Sequence, residues 1–277
     1  NFDDCVKKSW NNFHVKSNYK KFSHNCTKYP YQAIDSNLFY KKILNVLKKN
    51  KNIHFFKNIE QINTDNSFIF NSVMKIKKFD DDKKNYWQHF YGIEIETKKD
   101  LSHYDILDDF ESDSVQLMGF DTVYNIGKSR FINFMYILPF EKNKVFLETT
   151  WISKGGKNTF LKYEYQILEQ LRKWSIIDNP FTGPDKIVDQ RISNLMKGKE
   201  SNKFKINYKE HGAIPLFHPI YQKKINQINI GTAGGMTRLS TGYTFLNIQE
   251  QSKYIRENIE NIRSTKIFTQ NKKYLFL

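Results

Sequence analysis

The sequence has few cysteines and no long apolar run. Cys5 and Cys26 are its only cysteines. They are too few and too simply spaced for a disulfide scaffold or a zinc site, so a reducing compartment is the default expectation. The most apolar stretch, residues 131–140, is interrupted by Asn133 and Pro139. Because no run reaches the roughly 18 apolar residues that a bilayer requires, no transmembrane helix is predicted.

Several catalytic motifs are also missing. There is no GxSxG elbow, and neither cysteine has a supporting motif, so nucleophilic hydrolysis has no support. The seven histidines show no helical metal-binding spacing, and no metal site is predicted. No signal peptide is visible, and because the chain begins at Asn1 rather than Met we expect the true start to lie upstream.

Positive charge is abundant. The 277 residues carry a formal net charge of +15, which implies attraction to anionic lipid or nucleic acid. A compositional bias toward Lys, Asn and Ile explains the charge equally well. Arg is scarce relative to Lys, and no nucleic-acid-binding signature is present, which weighs against nucleic acid. The length fits one large domain or two closely packed ones.

Hydrophobic spacing predicts a mixture of helices and strands. Asp35 is a good N-cap for a helix that ends near Lys49. Residues 178–209 are interpreted as a loop with one short helix at 188–196. Helix and strand alternation is typical of an α/β protein. The other predicted elements are strands at 53–56, 67–74 and 87–97, a hairpin of 130–138 with 145–152, a helix capped by Asn158 or Thr159 with an apolar face (Phe160, Leu161, Ile167, Leu168, Leu171 and Trp174), and a buried face on the first helix (Leu38, Phe39, Ile43, Val46 and Leu47).

The segment INIGTAGGMTRLSTGYTF, residues 228–245, is interpreted as a strand, a glycine-rich loop and the start of a helix. Glycines at 231, 234 and 235 allow close approach of the backbone to a ligand. Unpaired N–H groups in the first turn of a helix attract negative charge. A simple connecting turn fits the local pattern equally well.

Glu148 is the candidate acid. On the extended VFLETTWI strand it shares a face with Phe146 and Thr150. Apolar neighbours would desolvate the carboxyl and raise its pKa, as a general acid requires. The structural alternative is an ion pair with a Lys on the neighbouring strand. His89 or His211 could relay protons, although buried structural histidines are more common. Aromatic residues make up 16% of the chain, and they could serve as core, as carbocation-stabilising walls or as base-stacking surfaces.

Four segments, in order, resemble the lycopene β-cyclase family. Residues 228–245 are similar to the flavin-contacting loop of that family, and MYILPFEKNKVFLETTWIS (135–153) to its paired strands with an acidic motif. WQHFYGIEIET (87–97) and EHGAIPL (210–216) are similar to two further family segments. The resemblance extends from about Cys5 to Ile262.

The resemblance implies an α/β (α+β) flavoprotein of the hydroxylase/cyclase type. Its Rossmann-like FAD-binding domain would comprise residues 1–75 and 205–265, without the first βαβ unit. Residues 76–204 would form an antiparallel-sheet substrate domain, and residues 266–277 would begin a truncated C-terminal region. The implied reaction is the non-redox, acid-catalysed cyclisation of the ψ-ends of lycopene to β-rings.

The resemblance also implies site residues and partners. Glu148 would be the catalytic acid. Reduced FAD would be the cofactor, with NAD(P)H serving only to reduce it. Because a hydrocarbon substrate lies in the bilayer, the enzyme would sit on a membrane surface, and a cytoplasmic, peripherally membrane-associated location is expected. The residues implied to bind the flavin are Gly231, Thr232, Gly234, Gly235, Met236, Thr241, Gly242 and Tyr243.

The sequence departs from the family pattern in three ways. It has no GxGxxG loop for the FAD pyrophosphate. The family continues well past Leu277, so a fragment cut at both ends is expected. A Met-Asp-Phe-Arg motif of the family appears here as Met118-Gly119-Phe120-Asp121.

Two other readings remain open. One is a related FAD-dependent reductase or monooxygenase acting on an isoprenoid or other apolar substrate. Its hallmark is an Asp that Gly231-Thr232-Ala233 lacks. The more distant one is a basic membrane- or nucleic-acid-binding protein without enzymatic activity.

Overall fold

The structure, a computed structural model, describes residues 2–63, 66–74, 82–106, 113–120, 132–155, 160–198, 203–218 and 226–269. Its helices are α1 (Ser36–Lys49), α2 (Phe160–Lys173), α3 (Asp185–Met196), α4 (Phe245–Glu257) and α5 (Ile259–Thr265). Its strands are β1 (Val6–Trp10), β2 (Asn12–Lys16), β3 (Lys21–Asn25), β4 (Tyr31–Ile34), β5 (Ile69–Asn71), β6 (Tyr86–Thr97), β7 (Ser114–Gly119), β8 (Ile132–Glu141), β9 (Lys144–Lys154), β10 (Phe204–Pro215) and β11 (Gln227–Asn229). The described part is therefore a mixed α and β protein, as predicted. Among its helices, none combines the length and the apolar character that crossing a bilayer requires.

The chain divides into two compact units. The first contains Asn1–Lys51, His89–Ser153 and Asn158–Gly212, and the second contains Asn52–Gln88, Lys154–Lys157 and Ala213–Leu277. These bounds differ from those of the predicted domains. The assignment of particular segments to flavin or substrate binding stays a prediction.

Most strands form one seven-stranded sheet, in the order β10-β6-β9-β8-β7-β2-β3. The pairs β7–β8 and β8–β9 are antiparallel, whereas β2 runs parallel to β7. The sheet is therefore mixed: β7, β8 and β9, which lie within the predicted antiparallel region 76–204, pair antiparallel, and the parallel pair is made by β2 from outside that region. The parallel pair arises because the N-terminal strand β2 lies beside β7, which follows it by about a hundred residues.

The predicted hairpin is confirmed and is longer than expected. β8 and β9 pair in register from Ile132–Ile152 to Glu141–Lys144, around a turn at 142–143. The segment predicted as the connection therefore belongs mostly to the strands, although it includes Pro139. An irregularity in the register between Pro139 and Glu141 accommodates the residue that cannot donate a backbone hydrogen bond.

The main core lies between one face of this sheet and helices α2 and α3. The predicted α2 helix is confirmed, and its apolar stripe at Ile167, Leu168, Leu171 and Trp174 is fully buried. It packs against strand residues such as Ile93, with Leu147 and Trp151 of β9 in the same cluster. The predicted caps Asn158 and Thr159 lie outside the described residues. The short helix predicted at 188–196 is confirmed as α3.

Helix α1 has the predicted ends but not the predicted burial. The Asp35 side chain accepts hydrogen bonds from the backbone N–H groups of Asn37 and Leu38 at 2.9 and 3.0 Å, which confirms the N-cap. No residue of the helix is buried, and the side chains of Leu38 and Val46 are 47% and 64% exposed. The predicted buried face was therefore wrong within the described part of the chain.

In the second unit, β11 pairs in parallel with β5. β5 confirms part of the strand predicted at 67–74. The strand predicted at 53–56 is absent, and Phe55 and Phe56 are exposed. β4 pairs with β1 rather than with β5, so α1 does not join strands of one sheet in the described structure.

Candidate active site

Glu148 lies on the face of the seven-stranded sheet opposite the helices. The side chains of β9 alternate between the two faces of the sheet, and those of Leu147 and Trp151 belong to the core beneath α2. Because successive side chains of a strand point to opposite faces, Glu148 shares the other face with Phe146 and Thr150. The hairpin register confirms the extended strand on which that prediction rested.

The environment of Glu148 keeps its carboxyl protonated. The side chain is half-buried, and the carboxyl of Glu210 is hydrogen-bonded to it. Burial raises the pKa of Glu148 to about 8, and the negative charge of Glu210 acts in the same direction. A hydrogen bond of 2.9 Å from Thr150 Oγ1 to Glu148 Oε1 opposes the rise in pKa without cancelling it. At neutral pH the neutral acid therefore predominates.

The alternative for Glu148, an ion pair with a Lys, does not occur within the described ranges. Lys7 binds Glu94 and also lies 4.0 Å from the ring centroid of Phe140. Lys144 binds Glu141 at 2.6 Å across the hairpin turn. These sheet lysines are engaged by other carboxylates, so Glu148 is desolvated without being neutralised by a cation.

A glycine makes the contact between the two carboxyls possible. Strand β6 lies between β9 and β10, and Gly92 of β6 lies between Phe146 of β9 and Glu210 of β10. A Cβ atom at position 92 would stand 2.9 Å from Phe146 Cε2, closer still to Cζ, and 3.3 Å from Glu210 Cγ. The missing side chain therefore leaves room for the Phe146 ring and for Glu210, which lies on the strand next but one to that of Glu148.

Aromatic rings extend from the acid along β8. Tyr136 pairs in register with Glu148, and Phe134 pairs with Thr150. The rings of Phe134 and Tyr136 are 5.4 Å apart, and Phe120 makes an edge contact with Phe134 at 5.6 Å. Ring faces attract positive charge through their quadrupole, so this surface suits a cation that forms beside Glu148.

His89, considered above as a proton relay, lies on the helix side of the sheet. Its Nε2 is 2.7 Å from Ser153 Oγ, its Nδ1 contacts the Tyr163 hydroxyl, and its ring stacks on Trp151. Burial lowers the pKa of His89 to about 3, so the ring is neutral at physiological pH. His89 is a satisfied structural histidine on the face opposite Glu148.

The glycine loop belongs to the second unit and has the predicted order of strand, loop and helix. β11 leads into a 3₁₀ turn at Gly231–Gly234, and a second turn joins Arg238 to Tyr243. Helix α4 begins only at Phe245, which is 55% exposed. Residues 241–243 belong to the Arg238 turn, and the helix follows them directly.

The loop residues differ in what they could offer a ligand. Met236 is fully buried, so its side chain packs inside the unit. Gly242 has a φ of +72°, and a Cβ there would stand 2.9 Å from Gln88 Cδ, so packing within the unit already requires this glycine. Thr241 and Tyr243 are exposed. Four residues of the loop are half-buried, namely Gly231, Thr232, Gly234 and Gly235.

An unsatisfied amide lies directly behind this loop. Gln251 of α4 accepts a 3.0 Å hydrogen bond from the backbone N–H of Gly231 through Oε1. Its Nε2 is buried with no hydrogen-bond partner among the described residues, and it is 3.4 Å from where a Cβ of Gly234 would stand. A buried donor without an acceptor is costly. The Gln251 amide N–H is therefore a donor that an acceptor atom of a bound group could satisfy.

One family matches almost the whole sequence. A family model described as lycopene cyclase protein matches residues 1–178 and 183–274. The chain belongs to the lycopene cyclase family. No curated protein matches it. Among solved structures, the crystal structure of tetracycline destructase Tet(51) is similar over 84% of this chain, with 9% sequence identity and a TM-score of 0.33. This lycopene cyclase family chain spans 58% of the length of that chain.

Two residues of the site were not predicted from the sequence of this family member, namely Glu210 and Gly92. Residues up to 209 were predicted as loop, whereas β10 occupies Phe204–Pro215 and presents Glu210 on the same sheet as Glu148. The signal available was the pairing of an acidic residue with a glycine inside a strand pattern, which often marks a close approach. In the altered motif, Met118 and Gly119 lie on β7, and Asp121 lies outside the described residues.

Proposed function

We propose that the protein is a lycopene β-cyclase that converts the linear ψ-ends of lycopene into β-rings without net oxidation or reduction. Membership of the lycopene cyclase family supports a carotenoid cyclase. The single observation that carries the proposal is the burial of the Glu148 carboxyl, which raises its pKa to about 8, on the strand that pairs Glu148 with Tyr136. An acid held neutral at physiological pH is what protonation of an unactivated alkene requires.

The chemistry is a proton-in, proton-out isomerisation. The Glu148 carboxyl donates its proton to the terminal double bond of a ψ-end, which leaves a tertiary carbocation. The next double bond attacks that carbon and closes the ring, and the ring cation then loses a C–H proton to form the β-ring double bond. Phe134 and Tyr136 stabilise the cation and exclude water that would otherwise trap it.

The cofactor that we propose is FAD in its reduced form, with NAD(P)H as the reductant. The loop backbone at Gly231, Thr232, Gly234 and Gly235 would hold the ring edge, and Gln251 would donate to it. When bound, reduced flavin supplies an electron-rich group that favours positive charge. We further propose that the β5–β11 pair, the loop and α4 are part of a Rossmann-like FAD-binding region. The parallel strand, loop and helix order supports this assignment.

Expression of the gene in lycopene-accumulating cells tests the proposed reaction. We expect lycopene to be replaced by β-carotene, as measured by pigment chromatography. Glu148→Gln should abolish ring formation at wild-type protein levels, because an amide cannot donate the required proton. Glu141→Gln, on the exposed hairpin turn, is the matched control and should retain activity. Unchanged lycopene with the wild-type gene would refute the cyclase, and rings made by Glu148→Gln would remove Glu148 from the mechanism.

A further inference from the structure

Three adjacent strands bring two carboxyls together on one face of the sheet. Glu148 lies on β9 and Glu210 on β10, with β6 between them. Since neighbouring strands are about 4.8 Å apart, the two backbones are separated by about 10 Å. A glycine on the middle strand favours contact between side chains over that distance, because it presents no side chain between them. Gly92 is that glycine, because a Cβ there would stand 3.3 Å from Glu210 Cγ.

We propose that Glu148 and Glu210 form a carboxyl pair that holds one proton across Gly92, with Glu210 as the residue that positions the proton on Glu148. The inference rests on the proposed cyclase function for its use, but not for its geometry. Two carboxylates at hydrogen-bonding distance repel each other when both are ionised, so one of them keeps a proton. The pair thus makes Glu148 a stable reservoir of one proton.

Hydroxyl groups hold the pair from both ends. Thr150 Oγ1 donates to Glu148 Oε1 at 2.9 Å, and the Tyr208 hydroxyl donates to Glu210 Oε2 at 3.0 Å. Each carboxyl therefore accepts one hydrogen bond from a hydroxyl group outside the pair. The Tyr208 hydrogen bond holds the Glu210 carboxyl in place, so that its charge acts on Glu148.

The groups around the pair supply no cation to it in the described structure. From β10 the titratable neighbours are Tyr208 and Glu210 itself, and from β8 the neighbour in register is Tyr136. Along β6 the next charged side chain on that face is Glu94, which is paired with Lys7. Among the described residues no basic group appears beside Thr150 and Glu210 as a cause of the pKa shift of Glu148, so repulsion from Glu210 is not offset there.

The pair also accounts for the return of the proton. Once Glu148 has protonated the alkene, both carboxyls are ionised and repel each other. This repulsion favours recapture of one proton from the ring cation, which restores the singly protonated pair and completes an isomerisation with no net proton change. Glu210 is half-buried and bonded to the half-exposed Tyr208, so solvent can also exchange the shared proton.

A direct titration tests the pair without relying on activity. In protein labelled with ¹³C at glutamate side chains, NMR from about pH 4 to about pH 9 follows each carboxyl. We expect one wild-type carboxyl to titrate near pH 8. Glu148→Gln should abolish this titration, and Glu210→Gln should lower its midpoint by about one pH unit or more. Glu96→Gln, on β6 and bonded to Asn207 of β10, is the matched control and should leave the midpoint unchanged.

A second variant covers the case in which Glu210→Gln does not fold. Tyr208→Phe, at a half-exposed position, removes the hydrogen bond that holds Glu210 in place and should lower the midpoint in the same direction as Glu210→Gln, but by less. A wild-type midpoint in the ordinary glutamate range, or a midpoint that neither variant moves, would overturn the pair.

The pH profile of cyclisation separates positioning from general structural damage. Glu210→Gln should lose about fivefold or more activity at pH 8, and about threefold or less at pH 5.5, where the acid remains protonated. Equal loss at both pH values would contradict positioning. Coupled titration in a protein that makes no rings would keep the pair and refute the cyclase. Ring formation by a protein in which Glu210→Gln leaves the midpoint unchanged would keep the cyclase and refute the pair.

Discussion

Gly92→Ala should damage both the packing and the carboxyl pair. The added Cβ would stand 2.9 Å from Phe146 Cε2 and 3.3 Å from Glu210 Cγ, inside normal contact distances. Phe146 is only 8% exposed, so its ring must turn within a packed environment. Overpacking of this kind costs about 1–3 kcal/mol. For a protein of this size, each kcal/mol lowers the melting temperature by about 2–4 °C.

Urea unfolding at pH 7 measures the loss of stability, and the glutamate NMR titration measures the effect on the carboxyl pair. Gly212→Ala is the matched control, because a Cβ there would stand 2.7 Å from the Phe90 ring, with no carboxyl among its nearest atoms. We expect both variants to lose stability, and only Gly92→Ala to shift the titration that we assign to Glu148. A Gly92→Ala protein within about 0.5 kcal/mol of wild type, with an unchanged titration, would refute the proposed gap.

Two further predictions concern His89 and the membrane. His89 has a folded pKa of about 3, below its unfolded value of about 6.5, so its contribution to stability is full above pH 6.5 and is lost as pH falls toward 3. In urea unfolding, His89→Gln should remove a pH dependence of the free energy of unfolding of up to about 1.4 kcal/mol per pH unit. Exposed His54→Gln is the control and should keep this pH dependence. An unchanged pH dependence in His89→Gln would contradict the buried neutral ring. The net charge of +15 should favour vesicles containing anionic lipid over neutral ones in co-sedimentation, less so at high salt, and equal binding to both would count against an electrostatic membrane contact.

The parts of the fold that could be predicted are those set by local chemistry. The Asp35 cap depends on hydrogen bonds to the next two or three residues, so it is readable from the sequence. The β8–β9 hairpin joins neighbouring segments of β-forming residues, and α2 has a complete apolar stripe. In each case nearby residues alone specify the element.

The parts that could not be predicted depend on distant partners. An apolar stripe on α1 gives a helix but does not specify a surface that covers Leu38 or Val46. Strand order is not contained in any single segment, so the sequence did not reveal that β6 lies between β9 and β10. The contact of Glu148 with Glu210 across Gly92 exists only through that order. Likewise, the loop motif could not indicate that Met236 points inward while Thr232 remains accessible.

The central claim, that the Glu148 carboxyl supplies the proton that starts ring closure, is tested most directly by isotope incorporation. The protein, reduced FAD and lycopene are incubated in D₂O, and the carotenoid product is analysed by mass spectrometry. Because the carboxyl proton exchanges with solvent and is added to carbon, we expect about one deuterium in each new β-ring. Glu148→Gln should give no rings. Product without deuterium, or rings formed by Glu148→Gln at the wild-type rate, would contradict acid catalysis by Glu148.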